Sequence, residues 1–274
     1  MRTDGSEMPF LRGAGAFHWI AALALLAAPL LSACSASTQG DQTAANRLVR
    51  LSDDEVKSLD PQKASDLTSL RVAGDQFEGV TRYRGDGGIE PGLARSWTMA
   101  PDGLHWRFDL RPGLRFSDGQ PITPQTFVTV FDRLRRPATA SPNSSLVDVI
   151  ARIEASGGDT VSVTLHYPFP ALAELLAHSA MAALPMHRIA AAGDGWTNDR
   201  PLVTSGAYRM ASWTLHDHLL LERNPHWHSP PAPIAAVEWK PVDDRQSAFR
   251  QFRAGEADLV GDFPSQQEQR LRRH

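Results

Sequence analysis

Residues 91–123, PGLARSWTMAPDGLHWRFDLRPGLRFSDGQPIT, constrain the fold more tightly than any other stretch of this chain. Pro101-Asp102-Gly103, Arg111-Pro112-Gly113 and Ser117-Asp118-Gly119 carry turn chemistry: proline presets φ, aspartate folds back on the backbone, and glycine supplies positive φ. Trp106, Phe108 and Leu110 alternate with Arg107 and Asp109, the period-two mark of a strand with one buried face. Thr123 and Pro124 then open a helix as N-cap and N1 residues, and Phe127, Val130, Phe131 and Leu134 follow at helical spacing. The block predicts three short strands joined by tight turns and feeding a helix.

Similar reasoning extends along the chain. Strands are predicted at residues 48–51, 161–165, 237–242 and 257–260, with a tight turn at 85–88. A hairpin of residues 208–213 and 219–222 turns at His216-Asp217-His218. A short apolar helix is expected at 171–177, with the α region continuing over 181–189. Another at 246–253 turns Phe249 and Phe252 inward and stops at Gly255. Strands and helices mixed in this way give an α/β or α+β class. The net charge of −3, without a long Lys/Arg run, argues against nucleic acid as a partner.

The first 34 residues read as addressing. An apolar run over 19–31, interrupted by Pro29, is too short to span a bilayer comfortably. It ends in Leu31-Ser32-Ala33-Cys34, which looks like a lipobox with Cys34 as the lipidated residue. Cys34 is the sole cysteine, so no internal disulfide can form. Asp4 and Glu7 offset Arg2 and Arg12, so initiation at Met8 instead of Met1 would leave a cleaner basic start. Residues 35–46 form a polar tether of small side chains.

No G-x-S-x-G, Walker loop or G-x-G-x-x-G occurs, and nothing argues positively for catalysis or a cofactor. Two H-x-H pairs, His216/His218 and His226/His228, each place two imidazoles on one strand face, a spacing that can ligate metal. No cysteine or acidic cluster accompanies them, and surface positions are the plainer reading. Asp243, Asp244, Glu256 and Asp258 could suggest paired carboxylates for acid/base work. Asp243 or Asp244 reads better as the cap of a helix starting near Arg245.

The wording of the opening block resembles a signature of the extracellular solute-binding proteins, family 5, the oligopeptide- and dipeptide-binding subunits of peptide ABC transporters. That signature runs P-G-L-A-x-S-W, D-G, F-x-L-R, then F/W-S-D-G-x-P-[VI]-T, and nearly every fixed position is present. Further landmarks follow in family order: Ser58-Leu59-Asp60-Pro61, Phe77-Glu78-Gly79, Thr139-Ala140-Ser141-Pro142, Gly206-Ala207-Tyr208, Leu221-Glu222-Arg223-Asn224-Pro225 with Trp227, and Ala254-Gly255-Glu256-Ala257-Asp258.

The resemblance implies an α/β periplasmic-binding-protein fold, with Asp258 in a structural G-E-x-D. It implies a first lobe whose main subdomain comprises residues 47–77 and 202–263, with a smaller α+β subdomain, 78–201, inserted and a polar tail at 264–274. Family members run to roughly twice this length, so the second lobe, which holds the acidic group for a peptide's α-ammonium, is expected to be absent. Ligand capture is then expected to be impaired in a truncated product. Ser65, Asp66 and Leu67 correspond to extended backbone that pairs with peptide, and Asn143 stands where the family often has a cleft-lining tyrosine. The implied function is a lipid-anchored subunit that binds an oligopeptide or other small solute in the periplasm and delivers it to an ABC permease. The competing readings are a metal-dependent hydrolase using the histidine pairs and a non-transporting surface lipoprotein that holds a protein partner.

Overall fold

Gly103, Gly113 and Gly119 take φ of 69°, 70° and 85°, so each predicted turn closes on the one residue type that enters the left-handed region without strain. The computed structural model describes residues 46–261 and Pro264. In chain order the first elements are β1 (Arg47–Ser52), α1 (Leu67–Gln76), β2 (Thr81–Tyr83), β3 (Ile89–Pro91), β4 (Ala94–Met99), β5 (His105–Leu110) and α2 (Pro124–Arg135). Then come β6 (Ile150–Ala155), β7 (Thr160–Leu165), α3 (Leu172–Leu175), α4 (Met186–Ala192), β8 (Tyr208–Thr214) and β9 (His218–Arg223). The last are β10 (Ala236–Pro241), α5 (Arg245–Ala254) and β11 (Leu259–Val260).

β4 and β5 of the opening block join β6 and β7 in a four-stranded antiparallel sheet in the order β4-β5-β7-β6. Trp106, Phe108 and Leu110 are buried as their alternation requires, and α2 lays Phe127, Phe131 and Leu134 into the same core. The third strand of the block is reduced to a single bridge between Arg115 and Pro121. Pro121 has no N–H for a ladder, and the Ser117 N–H donates instead to the Thr204 carbonyl at 2.9 Å.

A second sheet runs β11-β1-β10-β9-β8, with β1 parallel to both β10 and β11 and the other pairs antiparallel. Its core gathers Leu219, Leu221, Val237 and Trp239 with Val72 and Ala73 of α1. Val130 of α2 belongs to this second cluster, so α2 touches both cores. A two-stranded ribbon, β2-β3, completes the described sheets.

Two segments depart from the expectations. Residues 181–189 are not one helix: Ala182, Ala183 and Leu184 are at most 1% exposed and lie between a 3₁₀ turn and α4. Pro185 disfavours helix at the residue before it, and the freed groups find partners elsewhere. Ala183 donates its N–H to the Glu78 carbonyl at 3.0 Å and accepts from Ser205 Oγ at 2.7 Å. Leu67, expected in extended backbone, instead begins α1.

Candidate functional site

Asp60, the acid of the Ser58-Leu59-Asp60-Pro61 segment, is buried with Arg133 of α2. The pair is bidentate, at 2.6 Å from Nη2 to Oδ2 and 3.2 Å from Nη1 to Oδ1. Trp196 Nε1 donates to Asp60 Oδ2 at 3.2 Å, and Arg133 Nη1 also reaches Gln62 Oε1 at 2.7 Å. Gln62 Nε2 in turn donates to the carbonyls of Val130 and Ala180, at 2.9 and 3.2 Å. Buried charges persist only when paired and hydrogen-bonded in this way. The network fixes the root of the 60–66 loop against α2.

The loop then comes to the surface. Lys63 and Ala64 both donate their N–H to the Asp60 carbonyl at 2.9 Å. From the Thr139-Ala140-Ser141-Pro142 segment, Ser141 Oγ donates to the Gln62 carbonyl, and Asn143 Nδ2 donates to the Ala64 carbonyl at 2.8 Å. Ser65 is exposed, and among the described residues neither its N–H nor its C=O makes a hydrogen bond. Asp66 has extended backbone (φ −96°, ψ 154°) and caps α1 by accepting from the Ser69 N–H at 2.9 Å. The structure thus brings Ser65, Asp66 and Asn143 together, while Leu67 departs into a helix.

Beside α1 opens a groove of about 610 Å³, lined by Leu67, Phe77, Tyr83, Tyr208 and Trp227 with Glu78 among them. In the sequence Glu78 stands out only as part of Phe77-Glu78-Gly79. Here its carboxylate collects Arg82 Nη1 at 3.1 Å, Trp227 Nε1 at 3.0 Å and His228 Nε2 at 2.8 Å. Asp75, also on this groove, accepts from Trp239 Nε1 at 3.0 Å and lies 3.5 Å from Arg50. Burial pushes its carboxyl above the ordinary value, against the opposing pull of Arg50 and Trp239.

The histidine pairs are not assembled into one site. His216 and His218 sit at the β8–β9 turn, beside Glu55 and Asp217, whereas His228 binds Glu78 and His226 is exposed. Among the described residues no three His, Cys, Asp or Glu side chains gather as a metal cage. Asp244 caps α5 by accepting from the N–H groups of Gln246 and Ser247, at 3.2 and 2.8 Å. Asp258 accepts from the Val49 N–H at 2.8 Å and ties β11 to β1, while Glu256 is exposed. Asp243 lies in the short link before α5. Cys34 lies outside the described residues. Among those described, no helix is long and apolar enough to cross a membrane.

With this geometry in hand, comparison places the fold among periplasmic peptide-binding proteins. The Haemophilus influenzae OppA complex with RPPGFSPFR superposes with a TM-score of 0.79 at 27% identity, covering 83% of this chain and 48% of that one. The Escherichia coli murein tripeptide binding protein MppA gives 0.77 at 29% identity, over 82% of this chain and 47% of that one. In sequence, the periplasmic oligopeptide-binding protein OppA of Salmonella typhimurium is 33% identical over 263 residues, 86% of this chain and 48% of that protein. The family described as "Bacterial extracellular solute-binding proteins, family 5 Middle" matches residues 88–274. The chain belongs to the family 5 extracellular solute-binding proteins. It spans about half the length of the curated relatives it matches.

Proposed function

We propose that this chain supplies one wall of a peptide-binding cleft in a periplasmic solute-binding subunit of an ABC importer, tethered to the membrane through a lipid on Cys34. The observation that carries the reading is Ser65: an exposed residue with an unused N–H and C=O, held between pinned Ala64 and the N-cap of α1. An extended peptide laid along it finds one donor and one acceptor, as at the edge of a sheet. Capture through backbone tolerates varied side chains, in keeping with relatives named for binding oligopeptides. Asn143 offers an amide where an aromatic wall would otherwise stand, which favours polar over apolar ligand side chains nearby. We further read two subdomains. The five-stranded sheet draws its strands from residues 47–52 and 208–260, and the four-stranded sheet lies wholly within 94–165.

One wall leaves much of a peptide in water, so weak affinity is expected of this chain alone. Isothermal titration of the full chain with a mixed oligopeptide pool should give saturable heat. Ser65→Pro, which deletes the N–H, should remove it. A folded parent chain giving no heat refutes peptide capture by this chain. Cys34→Ser should move the chain from the membrane fraction to the soluble one; unchanged membrane association would remove the lipid anchor from the reading.

A further inference from the structure

We propose that Asn143 is a positioning residue that sets the plane of the Ala64–Ser65 peptide bond and so aims the Ser65 N–H outward. This rests on the peptide-capture reading above and adds the device that orients its donor. A trans peptide unit is planar, with its C=O and the following N–H pointing in opposite directions. The Ala64 carbonyl and the Ser65 N–H belong to one such unit. Asn143 Nδ2 holds that carbonyl at 2.8 Å, and no other donor among the described residues reaches it. Pinning the carbonyl toward Asn143 turns the Ser65 N–H away from it.

The support is itself braced. The Asn143 N–H donates to Ser141 Oγ at 3.1 Å, and the same hydroxyl donates to the Gln62 carbonyl. The turn at 141–143 therefore clasps two carbonyls of the loop, at 62 and 64, with two side-chain donors. Gln62 is locked in its turn by Arg133. Ala64 is fully buried and Ser65 exposed, so the surface of the loop begins at the bond that Asn143 orients.

The test uses the full chain and two variants, Asn143→Asp, which keeps size but cannot donate, and Asn143→Ala, which removes the donor without adding charge. Amide hydrogen exchange is read at Lys63 and Ala64, whose N–H groups are bonded within the loop. Both variants should speed exchange there about fivefold to tenfold, the effect of losing one hydrogen bond, and leave the β5 and β7 amides unchanged. Unchanged exchange at Lys63 and Ala64, or acceleration by Asn143→Asp alone, overturns the proposal. The second readout is binding of trialanine, whose side chains add little beyond backbone pairing. If the parent chain binds it, both variants should weaken binding about fivefold to tenfold, and equal binding overturns the orienting role. If the parent gives no heat with trialanine, the oligopeptide pool replaces it; no heat with either removes the capture reading, and exchange still decides whether Asn143 holds the Ala64 carbonyl.

Discussion

Arg133 is buried on α2, the helix that contributes residues to both hydrophobic clusters, and it survives there because Asp60 and Gln62 take up its donors. Both ionic side chains are less than a tenth exposed, so removing one strands the other. Arg133→Met should therefore destabilise the chain by about 3–5 kcal/mol, read from the urea midpoint. Pairing it with Asp60→Asn should recover part of that loss, because the orphaned carboxylate is then gone. A loss no larger in the single variant than in the double would show that the pair does not act as a unit. Asp75 makes the opposite kind of prediction. Its carboxyl is raised by burial, so the folded chain holds the proton more tightly than the unfolded chain does. Stability from this group is then lost as pH rises from the ordinary carboxylate value through the raised folded one. Asp75→Asn has no such proton, so its stability relative to the parent should climb across that window and stay flat on either side. Denaturation midpoints at a series of acidic to neutral pH values would check the slope, and a falling difference would reverse the sign assigned to burial.

Elements differ in how plainly their residues announce them. The strand and turns of 101–113 were legible because aspartate, proline and glycine stand where the backbone needs them, and the apolar residues alternate. Helix α5 was legible for the same local reason, with Asp244 at its start and Gly255, φ 77°, at its end. Helix α1 was not. Its buried face is Thr68, Ser69, Val72, Ala73 and Gln76, largely polar, while Leu67 is 61% exposed, so hydropathy runs against the true orientation. Its cap, Asp66, is at the same time one of the residues whose extended backbone the family resemblance pairs with peptide, and its backbone is extended. Gly206 was visible only as a letter of Gly206-Ala207-Tyr208, and its reason is contact. A Cβ there would stand 2.8 Å from the carbonyl carbon of Gln76 and 3.0 Å from the Phe77 nitrogen, at the end of α1. Backbone on the far side cannot rotate away, so Gly206→Ala should cost about 1–3 kcal/mol as overpacking. Thermal denaturation would measure it, and a neutral result would mean that α1 can slide away from β8.

At the scale of the whole molecule, what the sequence withholds is pairing across distance. Asp60 and Arg133 are 73 positions apart, and Glu78 meets His228 across 150; no local pattern links either pair. The parallel partnership of β1 with β10 likewise joins the first described strand to one near the end. Those long closures decide whether the two sheets behave as one body. The described residues from Asn46 onward cluster as a single compact unit, and α2 is the reason: Phe127 and Phe131 belong to the core of the four-stranded sheet, while Val130 belongs to the cluster that backs the five-stranded one. A helix shared by two cores transmits the loss of either to the other. Phe108→Ala, in the first core, and Leu221→Ala, in the second, should cost about 3–5 and 2–5 kcal/mol respectively. Each should lower one common transition, with near-ultraviolet and far-ultraviolet circular dichroism coinciding. Amide exchange gives the sharper view. Leu221→Ala should weaken protection in β5 and β7 as much as in β9 and β10, because opening one core pulls α2 from the other. Protection that falls in β9 and β10 alone would mean that the Arg133 network and α2 are a hinge between independent halves, and coupling through the shared helix would be wrong.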